Sequence, residues 1–181
     1  LAGGTALALQ IGHRMSDDFD LFTEKDIPAD LLEKVEKIFK DSKINIITNH
    51  SEQLSLIVDQ TKVDFVKYPF SLILDLTEYE KVKIIKILET AAMKAYTIGR
   101  RATYKDYIDL YFILSEKHSS LPEIIKISKE KFKEHFDPRL FLEQLVYLED
   151  IQEGPIQFLK KKVGKKELED FFQEEIKRIK L

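Results

Sequence analysis

The sequence predicts an α+β chain in which a mixed β-sheet lobe with flanking helices, residues 1–76, is followed by a helical lobe, residues 77–181. Two observations carry this. Between residues 44 and 66, three short runs rich in β-branched residues alternate with polar breaks, as strands do. From Thr77 onward apolar residues recur at three-to-four spacing, with no Gly- or Ser-rich linker to mark an independent domain.

The elements follow in order. Gly3 and Gly4 lack a Cβ and let backbone N–H groups approach an anion such as a phosphate tail, and Thr5 opens a helix-like run over residues 6–10. The string Ser16-Asp17-Asp18-Phe19-Asp20-Leu21-Phe22 reads as a strand. Alternation places Asp18 and Asp20 on one face, about 6–7 Å apart, with Phe19 and Leu21 toward the core. Paired carboxylates suit a hard divalent cation, Mg²⁺ with Mn²⁺ as a substitute, and such ions serve phosphoryl and nucleotidyl displacement. Asp26 and Pro28 read as a helix start, with Leu31, Leu32, Val35, Ile38 and Phe39 at helical spacing.

The three runs at 44–48, 54–58 and 62–66 read as strands. In the last, Val63 and Phe65 share one face and Lys62, Asp64 and Val66 the other. Asp64 is thereby open as a third acid beside Asp18 and Asp20, the alternative being a solvated edge aspartate. Next, Ile84, Ile85, Leu88, Ala91, Ala92 and Ala95 form the stripe of a helix ending near Gly99, with Lys94 off that stripe. Thr103 caps the following helix, and Asp106 at its third position has a purely structural reading as the acid of a capping box. Tyr107, Leu110, Tyr111 and Leu114 read as core, and Asp109 beside them as a partner for an arginine or lysine. Further helices begin at Pro122 and at Asp137-Pro138, the latter burying Leu140, Phe141, Leu145 and Leu148. Gly154-Pro155 separates another, and a last helix over 165–180 buries Leu168, Phe171, Phe172 and Ile176. These helices brace the first lobe and offer a surface for a protein partner.

Gly3-Gly4, a helix, then Asp18-Phe19-Asp20 resembles the signature of DNA polymerase beta-type nucleotidyltransferases. The fuller string, with His13-Arg14-Met15-Ser16 and Asp18 to Phe22, resembles the AbiEii/AbiGii toxin family. Val63-Asp64-Phe65 resembles the family's later acidic strand. Lys94, Arg100, Arg101, Lys105-Asp106 and Asp109-Leu110-Tyr111 resemble its basic helix-loop-helix block. The resemblance spans residues 3–111 and implies a nucleotidyltransferase-type fold with Mg²⁺-dependent transfer of a nucleoside monophosphate from an NTP. It implies tRNA or another RNA as acceptor in some members, growth arrest, and a cognate antitoxin protein. It implies metal ligation by Asp18, Asp20 and Asp64, and a nucleotide site drawing on Gly3, Gly4, Thr5, Ser16, Lys94 and Arg101. Asp106 would then be a catalytic or orienting acid beside Arg101 and Lys105. Arg14 is expected to grip phosphate bidentately; His13 reads as a hydrogen-bonded loop residue more readily than as a general base. In the family a helix leads into this region, so a natural segment ahead of Leu1 is expected.

Composition bounds these readings. At 181 residues and 44% hydrophobic the chain can bury a sizeable core. No apolar run approaches a membrane span and no basic-then-apolar leader occurs, which reads as a cytoplasmic protein without a membrane partner. The absence of cysteine excludes disulfides, thiolate zinc sites and a cysteine nucleophile. No Ser-His-Asp order or His-rich spacing supports a hydrolase or a zinc enzyme. A net charge of −3 argues against a protein coated by nucleic acid, so RNA would meet a local patch. That patch is residues 94–105 or the lysines at 160–162 and 165–166; the latter read better as the solvated end of a helix before the next begins. Rival readings are a small-molecule, aminoglycoside-type nucleotidyltransferase, a non-catalytic partner-binding module, and phosphorylation of a protein from the γ-phosphate.

Overall fold

The computed structural model describes residues 1–179. The strands β1 (Phe19–Thr23), β2 (Ile44–His50), β3 (Gln53–Val58) and β4 (Thr61–Lys67) form one mixed sheet in the order β1-β4-β3-β2. β1 runs parallel to β4, and β4, β3 and β2 form an antiparallel meander with an irregularity between Ile46 and Thr48. The parallel pairing sets Asp20 directly opposite Asp64, and across the next strand Ser55 lies opposite Asp64. These residues therefore share one face, while Leu54, Leu56 and Val58 pack on the other with Ile27 and Val35.

Val35 lies on α2 (Leu31–Ile38), whose stripe is narrower than the spacing suggested: Ile38 is 73% and Phe39 42% exposed, because the helix ends there. On the opposite face lies the N-terminus of α1 (Gly3–Ile11).

Residues 77–84 depart from the helical expectation. They form a hairpin of β5 (Thr77–Tyr79) and β6 (Val82–Ile84), joined by Glu80 and Lys81 at φ 46° and 71°. A two-residue loop with both φ positive matches strand twist but normally calls for Gly or Asn, so neither residue signals it. Ile84 is buried on this strand and Ile85 just after it, and both pack on Ala2 and Ala6.

The helical lobe consists of α3 (Ile87–Arg101), α4 (Tyr104–Ser115), α5 (Leu121–Phe132), α6 (Pro138–Val146) and α7 (Lys165–Lys177). All of α4 except Lys105 and Ser115 is buried, which makes it the central helix. Its three tyrosines are core residues whose hydroxyls are satisfied: Tyr104 donates to the Val163 carbonyl, Tyr107 to the Gln144 carbonyl and Tyr111 to Glu167. Ser120 with Glu123, and Asp137 ahead of Pro138, cap α5 and α6. Phe141, Leu145, Leu148, Leu168 and Phe172 are buried as expected, whereas Leu140 is 40% exposed. The expected end of the last helix at Lys180 lies outside the described residues.

A helix before Gly164 does not form. Residues 147–164 run back across the molecule, and the Met15 N–H donates to the Gln157 carbonyl while the Leu159 N–H donates to that of His13. The lysines are mostly paired there, Lys160 with Glu116, Lys161 with Glu167 and Lys166 with Asp170. No helix among the described residues is long and apolar enough to cross a membrane.

The segment between β4 and β5 is tied to the helices by a buried ion pair. Lys131 Nζ lies 2.7 Å from Glu89 Oε1, both side chains fully buried; Glu89 accepts from the Ile73 and Leu74 N–H groups and Lys131 donates to the Ser71 carbonyl. Removing one partner strands the other charge, so Lys131→Met is expected to cost about 3–5 kcal/mol in denaturant unfolding. A loss below about 1 kcal/mol would show that the pair does not hold this segment.

Candidate active site

The site is built around the first turn of α1. Gly3 adopts φ 66°, and a Cβ on it would lie 2.1 Å from Asp20 Oδ2; a Cβ on Gly4 would lie 2.5 Å from Arg14 Nη2. Both glycines are therefore required by protein side chains packed against them. The Ala2 N–H donates to the Asp20 carbonyl, which fixes the helix start against β1. The Asp20 carboxylate sits beneath the positive end of the helix, whose first N–H groups have no partner within it. The Thr5 hydroxyl donates to the Asp18 carbonyl and lies 2.8 Å from the Ser16 hydroxyl, so Thr5 and Ser16 shape the loop that presents the aspartates.

Asp18 lies just ahead of β1 and is exposed, and Phe19 is 39% exposed, which corrects the picture of a strand running from Asp18 with Phe19 in the core. The closely placed acids are Asp20 and Asp64. Burial raises the Asp20 carboxyl above its ordinary range and Asp64 pushes it further; Lys94 and Lys62 offset part of this, and Asp18 adds to it. Asp64 is 7% exposed, with Oδ2 bound to Lys62 and Oδ1 buried without a partner. No group of three His, Cys, Asp or Glu side chains among the described residues is clustered closely enough to hold an ion. The expected triad thus stands as a facing pair with Asp18 at its rim. Its donor chemistry still fits a hard divalent cation: carboxylate oxygens only, one of them buried and unsatisfied.

Behind the glycines lies a largely buried charge cluster centred on the fully enclosed Asp109 of α4. Arg14 grips it with Nε to Oδ1 at 2.7 Å and Nη2 to Oδ2 at 3.0 Å, and His13 Nε2 lies 2.8 Å from Oδ1. Lys94 Nζ lies 2.7 Å from both Asp109 Oδ2 and Asp106 Oδ1. Burial alone would raise the Asp109 pKa, but Lys94, His13 and Arg14 outweigh it and hold the carboxyl well below the usual carboxylate range. Burial would lower Lys94, and Asp109 and Asp106 reverse this and push it up.

Arg14 is 3% exposed, with its guanidinium committed to Asp109 and the Met15 carbonyl. This corrects the expected phosphate grip: Arg14 positions the glycine turn from behind. Asp106 has both oxygens engaged, Oδ2 accepting from the Thr103 N–H and hydroxyl at 2.8 Å and Oδ1 meeting Lys94. The capping box is present, and the same acid also meets Lys94. Lys94 itself is only 13% exposed, not a solvated helix residue. Arg101 and Lys105 are exposed and make no ion pair among the described residues. Asp109 pairs with an arginine and a lysine at once, as its reading as a partner for either allowed, while its place as the shared anchor and the contribution of Lys62 were not anticipated. Their signals were the three-residue spacing of Asp106 and Asp109 on one helix and the two-residue spacing of Lys62 and Asp64 on one strand face.

The chain is of the nucleotidyltransferase class by its family match, and its parallel strand pair presents facing aspartates under a glycine-started helix. Two solved Helicobacter pylori structures share the fold. One, described as a candidate nucleotidyltransferase, has a TM-score of 0.51 and 20% identity over 80% of this chain and 81% of that one. The other, JHP933, has a TM-score of 0.51 and 19% identity over 80% and 79%. An uncharacterised protein of Aquifex aeolicus strain VF5, aq_aa25, is 33% identical over 98% of this chain and 85% of that protein. Residues 1–180 match the nucleotidyl transferase AbiEii toxin family of type IV toxin–antitoxin systems, and the chain belongs to that family.

Two substitutions test the geometry. Asp109→Asn leaves Arg14 and Lys94 buried against a neutral amide and is expected to cost about 3–5 kcal/mol at pH 7, on the order of 10 °C in Tm. Because the folded pKa is depressed, this stabilisation is present above about pH 4 and is lost as pH falls toward the folded value. Equal Tm values at pH 7 would remove Asp109 as the anchor. Gly3→Ala meets both the positive φ and the Asp20 carboxylate, so a stability loss of at least about 1–2 kcal/mol is expected by chemical denaturation. Unchanged stability would show that the turn tolerates a side chain.

Proposed function

We propose that the chain transfers a nucleoside monophosphate from an NTP to an RNA acceptor, tRNA foremost, as the toxin of a pair neutralised by a cognate antitoxin. The observation that carries this reading is the unsatisfied buried oxygen of Asp64 facing Asp20 beneath the first turn of α1. Asp20 and Asp64, with Asp18 at the rim, would hold Mg²⁺, for which Mn²⁺ can substitute. Bound there, the cation would supply charge stabilisation for the attacking and leaving oxygens.

The chain's own groups do the rest. The open N–H groups at Gly3, Gly4 and Thr5 seat the triphosphate, aided by the helix dipole. Ser16 holds the loop through Thr5. Lys94, oriented by Asp106 and Asp109, places a fixed positive charge in the field of Asp20 and the phosphates. Arg101 and Lys105 extend that charge at the exposed end of the site toward the phosphate tail or the acceptor backbone. An acceptor hydroxyl oxygen bonds to the α-phosphorus as the bond to the β-bridging oxygen breaks; pyrophosphate leaves and the hydroxyl proton passes to solvent. With NTP and tRNA as substrates, the reaction belongs in the cytoplasm.

The test incubates the full chain, Asp18→Ala and Asp64→Asn with Mg²⁺, total tRNA and each NTP labelled at the α- or γ-phosphate. α-Label in RNA with wild type, reduced to background in Asp64→Asn, is the expected result. γ-Label on protein would replace the reading by protein phosphorylation, and α-label only on a small-molecule acceptor such as an aminoglycoside would replace the substrate. No transfer to any acceptor would leave a partner-binding role.

A further inference from the structure

The two lysines near the paired acids are held in different ways. Lys94 sits between two carboxylates and its side chain is 13% exposed. Lys62 is 44% exposed and meets one carboxylate, with Nζ 2.5 Å from Asp64 Oδ2. It reaches Asp64 from two residues away on the same face of β4, at the end of a flexible four-carbon stem. Among the described residues its side chain makes no other hydrogen bond or ion pair, so it braces no second element. The oxygen it covers belongs to a carboxylate whose other oxygen is buried and unsatisfied, and which faces Asp20 across the parallel pairing. Facing carboxylates repel and need a positive charge between or beside them. The solvent-exposed share of that charge is supplied by Lys62.

We propose that Lys62 is a displaceable counter-ion: its ammonium pairs with Asp64 and holds it in place before a cation binds, yields the carboxylate to a divalent cation, and then turns to the incoming triphosphate. This rests on the reading of Asp20 and Asp64 as a divalent-cation site. The exchange is physically open, because the ammonium end of the pair is accessible to solvent while the carboxylate stays in place, and a divalent cation bound by two carboxylates competes with a single ammonium effectively. Once released, the ammonium is free to meet the nucleotide phosphates, with Asp18 at the rim as the other acid in its reach. Metal and nucleotide binding thereby become coupled: the nucleotide stabilises the state in which Lys62 has left Asp64, and so raises the affinity for the cation.

The probe is Mn²⁺ alone, its free concentration followed by electron paramagnetic resonance, titrated into the full chain at pH 8 with and without an α,β-methylene NTP. Wild type, Lys62→Met, Lys62→Arg and Asp64→Asn are compared, each first checked for a cooperative thermal transition in metal-free buffer; Lys62→Gln replaces Lys62→Met if that variant does not fold. Without nucleotide, Lys62→Met is expected to bind Mn²⁺ about two- to fivefold more tightly than wild type, and Lys62→Arg with wild-type affinity. The gain in Mn²⁺ affinity on adding the nucleotide analogue is expected to shrink in Lys62→Met. Equal or weaker Mn²⁺ binding by Lys62→Met, with Asp64→Asn binding lost, overturns the counter-ion role and keeps the metal site. Wild-type Mn²⁺ binding by Asp64→Asn overturns the metal site, and the counter-ion role with it.

Discussion

One buried carboxylate organises this molecule. Asp109, fully enclosed in α4, receives Arg14 and His13 from the α1–β1 connection and Lys94 from α3. Those contacts join the sheet lobe to two helices of the second lobe at a single point. With Asp106 included, the cluster balances two permanent cations against two carboxylates, which is what makes the burial of so much charge tolerable. The same guanidinium that grips Asp109 presses against Gly4, so the position of the glycine turn is set from behind by the hub rather than by the turn's own chemistry. A rigid first turn of α1 and a rigidly held Lys94 are then two outcomes of one interaction.

The face in front of the hub is built on the opposite logic. Asp20 and Asp64 are paired by strand register, one carboxyl is raised by burial and by its neighbour, and one buried oxygen lacks a partner. A chain selected for stability alone would satisfy or remove these groups. Their presence beside a cluster whose carboxylates are all paired with cations separates a scaffold whose charges cancel within the protein from a surface whose charges await a ligand. The lysines fall on either side of that line: Lys94 belongs to the scaffold and faces the site, whereas Lys62 belongs to the site.

Much of this was legible in the residues. Alternating runs located β2, β3 and β4, and the face shared by Lys62, Asp64 and Val66 followed from a period of two. The glycine and aspartate strings carried the family, and the Thr103–Asp106 spacing carried the capping box. What was hidden depended on partners distant in sequence. Arg14 near a glycine turn looks the same whether it faces a phosphate or Asp109, 95 residues later. Lys94 off an apolar stripe looks solvated until two acids of the next helix enclose it. The β5–β6 hairpin was obscured because Glu80 and Lys81 adopt positive φ without the Gly or Asn that announces it. Asp18 was misplaced by one strand position, since a strand's first residue is set by pairing and Asp18 precedes the first paired residue, Phe19.

Charge distribution decides where an RNA acceptor could approach a chain of net charge −3. The lysine-rich stretch at 160–166 is the densest basic sequence, yet Lys160, Lys161 and Lys166 are matched by Glu116, Glu167 and Asp170. Such pairs are weak for stability but cancel the local potential that draws in a polyanion. Arg101 and Lys105 are fewer, but they flank the short connection between α3 and α4, the two helices that carry Lys94 and its acids. An acceptor backbone meeting this pair would arrive at the exposed end of the helices that hold the site's fixed positive charge. Lys162 and Lys165 likewise lack an acidic partner among the described residues, so it is the adjacency to Lys94 and its acids, not a larger number of unmatched cations, that favours approach from the α3–α4 connection over the lysine-rich stretch.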